Sequence, residues 1–343
     1  MSAGLASTPL EAEDGNPGLV FKAALAALRD GRRAALAVVL ETEGSTYTRA
    51  GTVVLFTDQG HVGWLSGGCL EPEIERRAMQ AVDGSALAWM EIDTRDDDAL
   101  FAGNAVGCRG RQRVVLIPLA SLAGIDSVFD PWLRGEGTLE LKLHGDGVLQ
   151  WRCGDTARSH DIASPPVDWE ASRPEWQLQW RRAPGVVVLG AGPEAAPLLP
   201  LLVGLGWRVE MHEPRERWRE RLAVIAPPDQ RSGATGDASA FYTSRLRDGP
   251  LPDAVLVMHH NFELDREALE ALAATSVPFI GLLGPRRRRD DLFKLLTPEA
   301  RAALSPRLRS PIGLGLGGRG PEAIALSIAA QLQAWRHGVP EAP

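Results

Sequence analysis

Cys69 and Cys108 are the residues whose settings could make them reactive. Gly67-Gly68 delivers Cys69 to the start of a helix read from Leu70 to about Val82. Backbone N–H groups and the positive end of the helix dipole favour an anion there, which would stabilise the thiolate and lower its pKa. Glu71 and Glu73, in the same first turn, work against this. Cys108 reaches a similar end by another route, because it stands among Arg109, Arg111 and Arg113. Neighbouring cations depress a thiol pKa, and the same arginines could hold a phosphate. The alternatives are a small buried thiol beside packing glycines at Cys69, and a solvated basic loop with a buried cysteine at Cys108. Cys153 closes a hairpin, Thr138–Leu143 and Val148–Trp151, and carries no chemistry. The three cysteines form no C-x-x-C pair, which argues against structural zinc and a disulfide framework and leaves reduced thiols as the default.

A second constellation is built from glycines. Gly190-Ala191-Gly192-Pro193-Glu194-Ala195 follows the apolar run Val186–Leu189, and Glu213 lies 21 residues beyond Gly192 at the end of a second strand. In a β-α-β unit this pattern lets the backbone approach a pyrophosphate at a helix N-terminus, while the acid accepts hydrogen bonds from a ribose. Later strand ends carry Met258-His259-His260-Asn261, Gly281-Leu282-Leu283-Gly284-Pro285-Arg286 and Pro311-Ile312-Gly313 leading to Gly318. Ligands of an open α/β sheet bind at such carboxyl ends. The turns Gly190–Gly192, Gly284–Arg286 and Ile312–Gly318 are therefore expected to face one crevice, with Arg286 reaching an anion there. Most of the run Arg286–Arg289 is expected to be solvated, because four consecutive residues cover every face of a helix.

The elements that must position these residues follow from pattern. Asn16-Pro17 reads as N-cap and first residue of a helix reaching Arg29, closed by Asp30-Gly31. Ala34–Leu40 is a strand buried on both faces, and Thr52–Thr57 with His61–Ser66 form a hairpin turned at Asp58-Gln59-Gly60. Ala86–Ile92 and Arg113–Pro118 are further strands. After Gly185, strands at Val186–Leu189, Trp207–His212, Ala254–Met258 and Pro278–Leu282 alternate with helices at Asp265–Ala274, Arg286–Leu296 and Pro321–Trp335. The fold class is α/β. An N-terminal α/β domain spans 17–153, residues 154–184 form a linker pinned by Trp169, Trp176 and Trp180, and 185–336 form a Rossmann-type domain with a mostly parallel sheet.

The bulk numbers narrow the classes. A chain of 343 residues has ample core for two or three domains, and 44% hydrophobic with 24% charged residues is ordinary for a globular protein. The net charge of −7 argues against nucleic acid or anionic membrane as a general partner. No run reaches the ~18 apolar residues of a membrane span. Residues 1–16 hold three acids and no Lys or Arg, unlike a secretory or mitochondrial signal, so the expected location is cytoplasmic.

In this order, the motifs resemble the xanthine dehydrogenase accessory factor (XdhC/CoxI) family along nearly the whole chain. The resemblance rests on Glu43-Gly-Ser-Thr-Tyr-Thr-Arg-Ala-Gly51, Gly63-Trp-Leu-Ser-Gly-Gly-Cys-Leu-Glu71 and Gly107-Cys-Arg-Gly110. It continues through Glu213-Pro-Arg215, Val257-Met-His-His-Asn261, Gly281-Leu-Leu-Gly-Pro-Arg286 and Ser310-Pro-Ile-Gly-Leu-Gly-Leu-Gly317. The chain departs from the family at Pro193, where His is usual, at Glu213 for Asp, at the Cys108 loop for Cys-Gly-Gly, and at Gln331 for an acid.

The resemblance implies an assembly factor without turnover of its own. Such a factor binds molybdenum cofactor, as molybdopterin or a dinucleotide form, and protects it. It assists sulfuration by a cysteine desulfurase and passes the cofactor to a molybdenum hydroxylase client of xanthine dehydrogenase type. Cys69 and Cys108 would contact molybdenum or sulfur, since thiolate is a soft ligand. Gly67, Gly68, Gly190, Gly192, Glu213, His260, Arg286 and Gly313 would complete the cofactor-binding set. The alternative is an NAD(P)-dependent oxidoreductase using the Gly190 turn, with His260 as acid–base group, and a third reading is an interaction scaffold. A homodimer is admitted, though no residue pattern requires one.

Overall fold

The computed structural model describes residues 10–12, 15–95, 109–169, 174–232 and 238–340. Cys108 lies outside them. The chain divides into two units, Met1–Ala183 and Pro184–Pro343.

The first unit holds two five-stranded sheets. One runs β4 (Gly60–Val62), β3 (Val53–Thr57), β2 (Ala34–Gly44), β6 (Gly110–Pro118), β5 (Ala88–Asp93), antiparallel throughout. The continuous apolar run of β2 is explained by its two covered faces. Ala34, Leu36, Val38 and Leu40 enter one core, while Ala35, Ala37 and Val39 enter another. A strand alternates its side chains, so burial on both faces requires apolar residues at every position. Helix α1 (Pro17–Arg29) packs on the first face, and its N-cap Asn16 accepts from Leu19 N at 3.1 Å, as the Asn-Pro start predicts. Helix α2 (Glu71–Gly84) covers the other face through Ile74, Ala78 and Ala81.

The second sheet runs β1 (Leu10–Ala12), β10 (Glu175–Trp180), β7 (Leu139–His144), β8 (Val148–Cys153), β9 (Thr156–Asp161). It corrects the linker expected at 154–184, because β9 pairs with β8 and β10 pairs with β7. In β10, Trp176, Leu178 and Trp180 are buried while Glu175, Gln177 and Gln179 are half-exposed, the alternation of a one-sided strand. Trp180 stacks on Trp151 and meets Phe21 edge-on, and its Nε1 donates to Gly51 O at 2.7 Å. These tryptophans are core rather than surface pins. Short helix α3 (Asp126–Leu133) adds Phe129 and Trp132 to the same core.

The second unit has five parallel strands in the order β12 (Arg208–His212), β11 (Gly185–Leu189), β13 (Ala254–Val257), β14 (Phe279–Leu282), β15 (Leu308–Arg309). Its helices include α4 (Ala195–Gly204), α5 (Glu216–Ile225), α6 (Phe262–Ala273), α7 (Arg286–Leu295), α8 (Pro298–Leu304) and α9 (Pro321–Arg336). The strands are buried on both faces between two apolar clusters. Val186–Leu189 and Ala34–Leu40 thus belong to different sheets, as the sequence predicts.

Candidate functional site

In the first unit the hairpin partner of β3 ends at Val62, short of the expected Ser66. The cause is Glu71. The residue is 3% exposed, and its carboxylate accepts from Leu65 N at 3.1 Å, from Ser66 N at 2.7 Å and from the Ser66 hydroxyl. Those amides cannot then join a ladder. Burial pushes the Glu71 carboxyl up, but its bonds from Ser66 and the backbone outweigh that and hold it below the usual range. The Ser66 hydroxyl in turn accepts from Gly68 N and Leu70 N, both at 3.2 Å.

The anion held in this turn is therefore Glu71, and the thiol faces outward. Cys69 is exposed, with Sγ 3.8 Å from Ser66 Oγ. Gly68 has φ +101, a conformation that favours glycine, and no atom lies within 4 Å of a Cβ built at Gly67. The turn thus presents an uncrowded thiol above a rigid carboxylate-bound base. A hollow of about 30 Å³ beside it is lined by Thr46, Tyr47, Leu65, Ser66, Gly67 and Gln112 among others.

Two of the three arginines expected around Cys108, Arg111 and Arg113, are paired with acids. Arg113 donates to Glu91 Oε2 at 2.8 Å and to Glu41 Oε2 at 3.0 Å, and Arg111 pairs with Glu43. The register explains it, since Glu41 and Glu43 on β2 lie opposite Arg113 and Arg111 on β6, with Glu91 on β5 completing the row. The E-x-E and R-x-R patterns were available to sequence reading; their pairing was not. Cys153 is buried with Sγ donating to Glu136 O at 2.8 Å, and burial pushes its thiol pKa up, which fits a structural residue.

In the second unit Gly190 has φ +114, and a Cβ there would lie 2.5 Å from Met258 O. Gly192 faces side chains: a Cβ would meet His260 Cδ2 at 2.9 Å and Glu194 Oε2 at 3.1 Å. His260, in the left-handed region at φ +55, places Nε2 2.9 Å from Glu194 Oε2. Glu213 is 2% exposed and fully engaged. Its Oε2 accepts from Ala191 N at 2.9 Å and Arg215 Nη2 at 2.7 Å, and its Oε1 from Arg215 N at 3.0 Å and Nε at 2.8 Å. A carboxylate has about four lone-pair sites, so none is left for a ribose hydroxyl. Burial raises its pKa, and the Arg215 and Ala191 bonds more than reverse that.

The expected crevice forms only in part. Leu283–Pro285 after β14 and the segment from Pro311 to Gly318 after β15 line one pocket of about 340 Å³, but the Gly190–Gly192 turn and Arg286 are not among its walls. Arg286 is exposed at the first position of α7, whereas Arg288 turns inward to Asp265 Oδ2 at 2.7 Å. Gly313 packs on α9, its N–H donating to Gln331 Oε1 at 2.7 Å.

A buried polar cluster went unread in the sequence. His259 Nδ1 lies 3.0 Å from Asp265 Oδ1, and His259 Nε2 lies 3.4 Å from the Tyr242 hydroxyl. His212 stacks on Phe241 at 3.7 Å, with Nδ1 2.8 Å from Ser232 Oγ and Nε2 unpartnered among the described residues. Burial lowers its pKa from 6.5 to about 4, with His259 adding to the shift. Since the unfolded state binds this proton more readily, stability is full above pH 6.5 and declines as pH falls toward 4. Denaturant titrations at pH 7 and pH 4.5 should differ by about 2–3 kcal/mol from this group, and His212→Phe should remove that difference. An unchanged pH slope in His212→Phe would contradict the assignment.

Among the described residues no group of three or more His, Cys, Asp or Glu is placed to hold a metal ion, and no helix is long and apolar enough to cross a membrane. Residues 27–90 match the model of the XdhC and CoxI family, and residues 186–332 match that of the XdhC Rossmann domain. A Bacillus subtilis protein whose name describes it as one of the probable subunits of xanthine dehydrogenase is 26% identical over 328 residues, covering 90% of this chain and 94% of its own. A solved structure described as a xanthine dehydrogenase from Bacillus halodurans aligns with TM-score 0.74 at 24% identity, covering 94% of this chain and 96% of its own, and shares the fold. With both units matched by models of one family, in the order in which they occur here, the chain belongs to the XdhC and CoxI family.

Proposed function

We propose that this protein is an accessory factor of a xanthine dehydrogenase-type molybdenum hydroxylase. It binds molybdenum cofactor, shields it, assists its sulfuration by a cysteine desulfurase and delivers it to the client. The observation that carries this reading is the match of both units to one family, supported by the Bacillus subtilis relative whose name refers to xanthine dehydrogenase.

Each unit by itself offers a feature suited to part of the group. In the first, Cys69 supplies an exposed soft donor on a turn fixed by Glu71. In the second, the pocket at Leu283–Pro285 offers a cradle in which Gly315 and Gly317 leave the Cβ direction open. When bound, the cofactor supplies the molybdenum centre on which the client's hydroxylation depends. The chain's own part is to bind, orient and exclude solvent, with Ser66 and Glu71 holding the backbone that presents the Cys69 thiol. The NAD(P) reading is weaker, because Glu213 is saturated by Arg215 and Ala191, and His260 is engaged with Glu194.

The test loads purified variants with molybdenum cofactor, then measures retained molybdenum by mass spectrometry and activation of an apo-hydroxylase. Cys69→Ala should lower retention or activation by at least about tenfold, roughly 1.4 kcal/mol in binding, while Cys153→Ser matches wild type. Cys108→Ala is expected to follow Cys69→Ala. Wild-type behaviour of Cys69→Ala in both assays would remove the thiol from the mechanism, and failure of the wild type to retain molybdenum would overturn the function.

A further inference from the structure

The carboxyl edge of the Rossmann sheet offers two places for a ligand, and they differ in what fills them. The glycine turn after β11 is filled by the protein itself. The Glu194 carboxylate and the His260 ring lie where a side chain at Gly192 would point. A phosphate brought to that turn would meet the negative charge of Glu194, and like charges at such range repel. Glu213, the residue that would take a ribose, has all four acceptor sites used.

Two strands away the edge is open. The pocket of about 340 Å³ lies within the usual range for small-molecule sites, which starts at roughly 300 Å³. Its walls include Leu283, Pro285, Ile312, Leu314, Leu316 and Ile324, and none of its lining residues is ionisable. Apolar walls without charge suit the faces of a flat ring. The one polar side chain in the lining, Ser327, already donates to Leu314 O, so further donors must come from the backbone. The amides of Gly313, Leu314 and Leu316 are bonded to Gln331, Ser327 and Leu314, whereas those of Gly315, Gly317 and Gly318 have no partner among the described residues. These three glycines line the pocket and are exposed, so their N–H groups, free of acceptors among the described residues, are available to acceptor atoms on a ring edge.

We propose that this pocket, and not the glycine turn, is the ligand site of the Rossmann unit, and that it takes a fused pyrimidinone ring. The carbonyl and ring nitrogens on one edge accept from the glycine amides, while the ring faces lie against Leu and Pro side chains. This rests on the cofactor-binding reading above, in which the ring belongs to the pterin; a guanine ring offers similar edge chemistry.

The experiment titrates the full chain with pterin itself (2-amino-4-oxopteridine), followed by its fluorescence polarisation, with guanosine and NADH as competitors. Ala323→Phe fills the pocket from the first turn of α9, and Gly315→Leu places a side chain where no atom lies within 4 Å, so folding has no evident obstacle. Each should weaken pterin binding by at least about tenfold, while Glu194→Gln stays within about twofold of wild type. Competition by guanosine would identify the edge common to both rings as the recognised feature, and lack of it would identify the pterin; either supports the site. Absence of pterin binding, or its loss in Glu194→Gln with both pocket variants unaffected, would overturn the site. Molybdenum retention in the same variants separates the two ideas: wild-type retention in Ala323→Phe sinks the pocket alone, whereas no retention in wild type sinks the accessory function.

Discussion

Arg113→Ala should lower the stability of the first unit by about 3–5 kcal/mol, the cost of breaking a buried ion pair from one side. The guanidinium side chain is 4% exposed, lies between Glu41 and Glu91, and stands over the Trp169 ring at 5.2 Å. Burial works against its charge, but the bonds to Glu91 and Glu41 outweigh that and raise its pKa. Truncation would leave two half-buried carboxylates facing each other across β6, with Glu41 still held by Trp176 Nε1 at 2.8 Å. Arg113→Lys keeps the charge but cannot serve both acids in the same geometry, so it should fall between wild type and alanine. Replacing all three by apolar residues should recover much of the loss, since the repulsion goes with the acids. Urea unfolding followed by tryptophan fluorescence reads the series. A loss under about 1 kcal/mol in Arg113→Ala would show that water or rearrangement relieves the acids.

The same residues show where sequence reading stops. The Rossmann unit was legible because its strands are uniformly apolar and its turns are marked by glycines, both local signals. The second sheet of the first unit was hidden by composition. Pro165-Pro166, Pro174 and three tryptophans suggest a linker, although Trp176, Leu178 and Trp180 already alternate at the period of a strand. Register is not a local property, so nothing near Arg113 announces that Glu41 faces it from another strand. The Cys69 turn shows a finer limit. Ser66, Cys69 and Glu71 were visible together, but which of thiol and acid turns inward depends on the unpaired amides of Leu65 and Ser66 that the acid satisfies. His260 could be placed at a strand end, but its approach to Glu194 joins residues 66 positions apart.

Gly190→Ala should be far more damaging than Gly192→Ala, although both belong to one motif. At Gly190 the backbone has φ +114, outside the range an L-residue adopts without strain, which alone costs about 1–3 kcal/mol. The added methyl would also sit 2.5 Å from Met258 O, 2.7 Å from Met258 C and 2.8 Å from His259 Cα. Those atoms are backbone and cannot swing aside, because Met258 N donates to Leu189 O at 2.8 Å and β13 is paired to β11 beside it. Relief would require parting two central strands, so a total loss above about 4 kcal/mol is expected for the unit. At Gly192 the backbone φ is not in the left-handed region, and the methyl meets the ends of two side chains, His260 and Glu194. They can move by giving up their mutual contact, for a cost of about 1 kcal/mol. Thermal unfolding of the two variants measures the difference directly. Near-equal melting temperatures would mean that the backbone at Met258 and His259 yields to the first methyl as readily as the His260 and Glu194 side chains yield to the second.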